Sequence, residues 1–349
     1  MRMSGFRYGF FAVMTAAAIA VTVSGCSKTA VKTAETNGQE TGTDAAETAA
    51  SGIQEVNKDQ GGEAVKIGVL QLIQHPALDK ANQGFTDAIR DSKLHAVIDQ
   101  QNASGEQPAC QTIAEKFADD NDNLIYAIAT PAAQAAAAAT TEIPIVISAV
   151  TDPAGSGLVA SNDAPGGNVT GTSDLTPVKE QIDLLRKLLP SAKKVGILYC
   201  TAESNSAIQV KMAKEACDAA GLEAKEYSVS SSNEIQTVVE SMIGNADVIY
   251  TPTDNTIAAG MSTVSSVATD HKIPIICGEE GQLEGGGLAT YGIDYYQLGY
   301  MAGEQAVSIL RDGRKPADIP IGYLSADKCK LSVNQDAADE LGIDTSVLK

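Results

Sequence analysis

The sequence predicts an α/β protein of two Rossmann-like lobes, each built on a parallel sheet and joined by a multi-strand hinge. Three observations carry this. From Val65 onward short β-branched runs alternate with helical stretches, the signature of βαβ units. Aromatic residues make up only 4% of the chain and Trp is absent, so a 44% hydrophobic content must fill the core with aliphatic strands and helices. The third is an internal echo. Lys66-Ile67-Gly68-Val69-Leu70 returns as Lys194-Val195-Gly196-Ile197-Leu198. Leu124-Ile125-Tyr126 returns as Val248-Ile249-Tyr250, and Ile143-Pro144-Ile145-Val146 as Ile273-Pro274-Ile275-Ile276. All three recur in the same order at a spacing of roughly 124 to 130 residues, which argues for two units of like topology. A length of 349 residues suits two such units.

Residues 1–25 hold Arg2 and Arg7, no acid, and an apolar stretch from Phe10 to Val23 too short to span a bilayer comfortably. They are expected to be a signal peptide. The stretch ends in Val23-Ser24-Gly25-Cys26, which resembles a bacterial lipobox. Cys26 is therefore the expected lipidation site and mature N-terminus, with an ordinary export signal as the alternative. Residues 26–64 are rich in Thr, Ala, Glu, Gly and Gln without any aromatic residue, so a disordered tether is expected there. Five cysteines follow Cys26, an odd number. Cys200 and Cys277 end apolar runs and are expected as buried thiols, with one disulfide left open.

Strands are expected at 65–70, 94–98, 124–129, 144–149, 194–200, 224–229, 247–251, 274–277 and 287–291. Helices are expected near 77–91, 107–120, 131–140, 177–188, 205–220, 233–243, 255–270 and 295–312, most with apolar residues at three- and four-residue spacing. The turn at Pro165-Gly166-Gly167 and the short strand behind it place the first crossover near residue 171. One lobe would then comprise 65–171 and 279–321, and the other 172–278 and 322–349. Several crossing strands make a natural hinge.

Ligands of parallel sheets lie beyond the carboxyl ends of the strands, so the loops there hold the candidate site. Gln71 leads from the first strand through His75-Pro76 into a helix carrying Asn82 and Phe85. Thr130 and Pro131 open the next helix, where a capping hydroxyl, free amides and the positive end of the helix dipole suit a carboxylate. Ser148, Ala149 and Thr151 follow the next strand with further hydroxyls and backbone donors. In the second half, Asp254 and Asn255 follow one strand, and Tyr291 and Asp294 another. Both aspartates could simply cap helices. An ammonium taken out of water needs such acceptors, and the tyrosines could wall an apolar or aromatic side chain.

These segments resemble a known family. Gln71 through Pro76, Ala127 through Gln134, Ala149 through Pro153, Pro165 through Gly171, Pro252 through Thr256 and Ala289 through Tyr296 are similar, in order, to ABC-transporter substrate-binding lipoproteins of the tryptophan- and tyrosine-binding type. The resemblance spans essentially residues 65–345. It implies a type I periplasmic-binding fold, capture of a small solute by closure of two lobes, and delivery to an ABC permease in the membrane. A zwitterion is the favoured solute, an aromatic amino acid (tyrosine, tryptophan or phenylalanine) first. The implied place is the outer face of the cell membrane or the periplasm, lipid-anchored and monomeric.

Other functions fit less well. A formal net charge of −19 without a basic face disfavours nucleic acid. His75, His95 and His271 have no metal-ligand spacing, Gly285-Gly286-Gly287 lacks a phosphate-loop Lys, and no nucleophile-elbow pattern occurs, so neither an enzyme nor a bound cofactor or metal is expected. Glu279 and Glu280 read as a solvated helix start. A surface receptor or adhesin on the same fold, or a sugar or nucleoside as solute, remain the alternatives.

Overall fold

The computed structural model describes residues 52–325 and 328–348; the expected signal segment, Cys26 and the tether up to residue 51 lie outside them. The first half runs β1 (Gly52–Val56), β2 (Val65–Gln71), α1 (Pro76–Asp91), β3 (Ala96–Asn102), α2 (Gln107–Asp119), β4 (Leu124–Ile128), α3 (Thr130–Ala139), β5 (Ile145–Val150) and β6 (Val169–Ser173). The second half begins α4 (Val178–Leu188), β7 (Lys194–Cys200), α5 (Ser204–Ala219), β8 (Glu223–Val229), α6 (Ile235–Met242) and β9 (Val248–Thr251). It continues α7 (Asn255–Ala259), α8 (Met261–Asp270), β10 (Ile275–Cys277), α9 (Glu280–Glu284) and β11 (Ala289–Gly292). The chain closes with α10 (Tyr295–Leu310), β12 (Lys330–Val333) and α11 (Gln335–Leu341).

Two six-stranded sheets form, in the orders β1-β3-β2-β4-β5-β6 and β12-β11-β10-β9-β7-β8. Without their antiparallel edge strands β1 and β12, both reduce to the same parallel order. The echo seen in the sequence is thus a repeat of topology, and its glycines show why. A Cβ at Gly68 would lie 2.5 Å from the Phe117 ring, and one at Gly196 would lie 2.3 Å from Met242 Cε. In each lobe the first parallel strand passes close beneath a large side chain, the rigid Phe117 ring in one and the flexible end of Met242 in the other. Tyr126 and Tyr250, fully buried at equivalent places in β4 and β9, fill the two interiors. Cys110, Cys200, Cys217 and Cys277 are buried thiols.

Three differences from expectation have local causes. The tether expected through residue 64 ends earlier, because Gly52–Val56 pairs antiparallel with β3, from Gly52 opposite Gln100 to Val56 opposite Ala96. Asn57 Nδ2 fastens the turn after it to the carbonyls of Arg90 and Leu94, each at 3.0 Å. Composition hides this strand because backbone pairing holds it, while Ile53 stays 75% exposed. The return to the first lobe comes after Gly292 and not at residue 279, since β11 pairs with β10 and β12 in the second sheet. From there α10 packs on α1 so closely that a Cβ at Gly299 would stand 1.9 Å from the Ala81 carbonyl. The helix expected over 255–270 is broken at Gly260, where Ile235 occupies the space a side chain would need.

The chain therefore crosses between lobes at 174–177, at 293–294 and after Gly322. Gly322 N donates to Gly171 O at 2.8 Å, tying the third crossover to the first.

Candidate functional site

The reversal of strand order between β2 and β4, and between β7 and β9, opens the switch point where α/β sheets bind ligands. Here the two switch points meet. His75 Nε2 and Asn255 Oδ1 are 3.1 Å apart, Thr151 Oγ1 and Thr253 Oγ1 3.2 Å, and Gln134 Nε2 lies 3.4 Å from Ser204 Oγ. At the rim Lys80 pairs with Glu284 at 2.7 Å. Between the lobes remains a cavity of about 10 Å³, walled by His75, Asp174, Asp254, Asn255, Glu279 and Tyr295 among others. That is room for a single water-sized group, so a solute enters only when the lobes part.

The second lobe supplies three buried carboxyls to this region, and each begins a helix. Glu203 precedes α5 and accepts Asn255 N (3.1 Å), Asn255 Nδ2 (2.6 Å), Thr256 N (2.8 Å) and Thr256 Oγ1 (2.9 Å). Asp254 caps α7 through Ile257 N (2.9 Å) and also accepts Cys200 N (2.6 Å) and Ser206 Oγ (2.7 Å). Glu279 caps α9 by accepting Gly281 N and Gln282 N. It is 2% exposed, which corrects the expectation that Glu279 and Glu280 form a solvated helix start. A fourth carboxyl, Asp174, sits on the first crossover and accepts Thr151 Oγ1 (3.2 Å) and Tyr295 OH (2.7 Å).

Burial governs the titration of these groups. It lifts Asp174 to about 6 against the pull of the Tyr295 and Thr151 hydroxyls, and Glu279 to about 7 against its two backbone donors. Asp254 is pushed up by burial and by the neighbouring Glu203. His75 is pushed down to about 4 by burial, so its ring is neutral. Among the described residues no group of three or more His, Cys, Asp or Glu is placed to hold a metal ion.

The first lobe contributes hydroxyls and amides. Ala129, at φ +85°, occupies the cap position of α3, so Thr130 is its first helical residue and not the capping hydroxyl expected. Thr130 Oγ1 is buried without a partner. Such a backbone conformation at a non-glycine residue is strained, and Ala149 at the end of β5 shares it at φ +55°. Pro131 is buried beside Thr130. Ser148 Oγ accepts from Thr172 Oγ1 at 3.1 Å, inside the sheet.

Of the sequence-expected residues, Asp254 and Asn255 stand in the cavity wall and Thr151 borders it through Thr253. Others lie elsewhere. Phe85 is fully buried in the first lobe's core, its ring stacked 3.8 Å from that of Tyr126. Asn82 bonds Gln71 Oε1 (3.0 Å) and Gln100 Oε1 (2.9 Å), and Gln71 in turn bonds Ile73 O and Asp79 Oδ1. These side chains hold the loop after β2 in shape. Tyr291 packs on the second lobe's core, and its carbonyl accepts from Gln181. Asp294 caps α10 through Gln297 N and lines an open depression of about 350 Å³ with Lys80, Gln83, Glu280 and Tyr296, which adjoins the cavity and shares Tyr295 with it. Sequence reasoning missed Asp174 and Glu203, and it had Tyr295 only among the tyrosines expected to wall a side chain. The echo held one signal: Glu203 follows His75 at roughly the repeat spacing, and both precede helices after the first strand of a lobe.

The sequence model of the family described as ABC transporter substrate binding protein matches residues 66–348. The tyrosine-binding protein of Clostridioides difficile (strain R20291) is 46% identical over 279 residues, 79% of this chain and 80% of that protein. The solved ABC domain in complex with L-Trp from Streptococcus pneumonia is 39% identical, covers 82% of this chain and 98% of its own, and superposes with a TM-score of 0.78. The ligand-free, open structure of a substrate binding protein with adhesive properties from Clostridium difficile is 43% identical and covers 81% of this chain and 96% of its own, yet superposes at only 0.62. The more identical chain superposes less well, so the lobes here stand closer to their arrangement in the L-Trp complex than to the open one.

Proposed function

We propose, from the premise that this chain belongs to the ABC transporter substrate binding protein family, that it captures an amino acid between its lobes, with an aromatic one preferred. Proteins of this family bind small solutes and deliver them to an ABC permease; they are not enzymes. One observation carries the choice of a zwitterion. The first lobe brings a helix start with an unpartnered, buried Thr130 hydroxyl, while the second lobe and the crossover bring carboxyls. A carboxylate is stabilised at the former by free amides and the helix dipole, and an ammonium by the latter. Support for an aromatic side chain comes from the tyrosine-binding and L-Trp-bound relatives.

In the same proposal Cys26 carries the lipid that holds the protein on the outer face of the cell membrane, the residues behind it acting as a spacer. Cys26→Ser then moves the protein from the membrane fraction to the medium or periplasm. The solute itself is tested by a thermal-shift screen of amino acids, sugars and nucleosides, followed by calorimetry. A ligand present at a hundred times its Kd stabilises the native state by about 2.7 kcal/mol. L-tyrosine or L-tryptophan is expected to give the largest rise in Tm. A rise with a sugar or nucleoside and none with any amino acid contradicts the proposal.

A further inference from the structure

The four buried carboxyls differ in how much accepting capacity they have left. A carboxylate offers about four acceptor positions. Glu203 fills all of them with the amides of Asn255 and Thr256 and their side chains. Asp254 fills three. Asp174 and Glu279 fill two each, which leaves each two spare. Both line the interlobe cavity, one from the hinge and one from the second lobe.

His75 lines the same cavity from the first lobe and adds an independent sign of a missing partner. Asn255 commits its Nδ2 to Glu203 at 2.6 Å, which turns its Oδ1 toward His75 Nε2. Nε2 must therefore carry the ring proton and donate. The ring is neutral, so Nδ1 is a bare lone pair, and it is buried with no partner in a residue only 6% exposed. Three elements thus line one water-sized space with accepting capacity to spare, an unpartnered imidazole nitrogen and two carboxyls that hold two donors each. A buried acceptor left without a donor costs free energy, and a primary ammonium carries three N–H donors in a group of that size.

We infer that His75 Nδ1, Asp174 and Glu279 form a three-point cup for a primary ammonium group, and that the cup selects solutes by their amine. This rests on the amino-acid reading above and deepens it. Asp174 has a further part, because it lies on the crossover and is held by Thr151 at the end of β5 and by Tyr295 at the start of α10. Loading the cup therefore pulls on two crossovers at once. Amines bearing an N-methyl group offer one donor fewer and leave an acceptor orphaned.

Calorimetry on the mature protein with L-tyrosine, L-tryptophan, N-methyl-L-tyrosine, tyramine and 3-(4-hydroxyphenyl)propionate separates the possibilities. The cup predicts at least a hundredfold loss for the propionate, which lacks the amine, and at least a tenfold loss for the N-methyl compound. Asp174→Asn and Glu279→Gln should each weaken L-tyrosine at least tenfold, and His75→Ala should narrow the gap between L-tyrosine and its N-methyl form. The wild-type series decides the matter even where a variant folds poorly. Propionate binding within threefold of L-tyrosine overturns the cup while leaving solute capture standing. Tyramine bound without either amino acid keeps the cup and removes the amino-acid reading. No amine bound at all removes both.

Discussion

The two lobes repeat one topology but carry different chemistry at the same stations. Before the helix that follows the first parallel strand of each lobe stands His75 in one and Glu203 in the other. At the helix after the third parallel strand stands Thr130 in one and Asp254 in the other. At the end of the next strand stands Ala149 in one, and just past its counterpart stands Glu279 in the other. The first lobe offers neutral groups, one of them an unpartnered hydroxyl, and the second offers carboxyls already engaged with backbone amides. Duplicated topology sets where side chains arrive. It does not set their polarity, and that contrast is what lets a pair of similar lobes grip the two ends of a dipolar solute.

The contrast breaks most visibly at Asp254. Asp254→Ala removes a cap and two further bonds to buried donors, so a stability loss of about 2–4 kcal/mol is expected, read as a lower midpoint in urea or heat. Its counterpart Thr130→Val should leave the midpoint unchanged or raise it, since the hydroxyl has no partner to lose. Solute affinity should nevertheless fall by about ten- to a hundredfold, the worth of one hydrogen bond to a carboxylate at about 1.5–3 kcal/mol. Equal destabilisation by both substitutions would erase the distinction between an engaged lobe and a waiting one.

Acidity sharpens the comparison next. Asp174 faces Thr151, Tyr295 and Glu203, while Glu279 faces its own backbone donors, Asp174 and Glu284. Lys80 feels the charge of Glu279 and is itself paired with Glu284. Because burial raises both pKa values, the closed, ligand-free protein binds more protons than the unfolded chain. Its stability from these groups is present below the ordinary carboxyl range and is lost as pH rises through about 6 and about 7. An ammonium solute needs the ionised forms, so affinity should rise steeply, by well over tenfold, between about pH 5 and about pH 7.5. A flat profile in calorimetry would place the amine elsewhere. The smallest effect belongs to the Lys80–Glu284 pair at the rim, whose side chains are 44% and 53% exposed. Glu284→Gln should weaken solute binding by no more than about fivefold, and less at high salt, as exposed pairs contribute about 0.2–1 kcal/mol.

Much of the fold was legible because strand repeats such as Lys66-Ile67-Gly68-Val69-Leu70 and Lys194-Val195-Gly196-Ile197-Leu198 fix the sheet centres. The edges were not. Gly52–Val56 has no apolar alternation to betray it, and Ala289–Gly292 is too short to show which sheet it joins. In the cavity wall, Asp254 could be located from its place after a strand. Asp174 could not, because β6, which ends at Ser173, buries Thr170, Thr172 and Ser173 with little apolar signal. Phe85 pointed to the cleft by its position on the first helix, but the side of α1 it occupies meets Tyr126 in the core. Which helix face meets the sheet depends on packing partners distant in sequence.

Small-angle scattering of the mature protein, with and without calorimetrically saturating L-tyrosine or L-tryptophan, tests capture between closing lobes most directly. The account predicts a fall in the radius of gyration toward that of the closed lobes described here. An unchanged radius at full occupancy would contradict it.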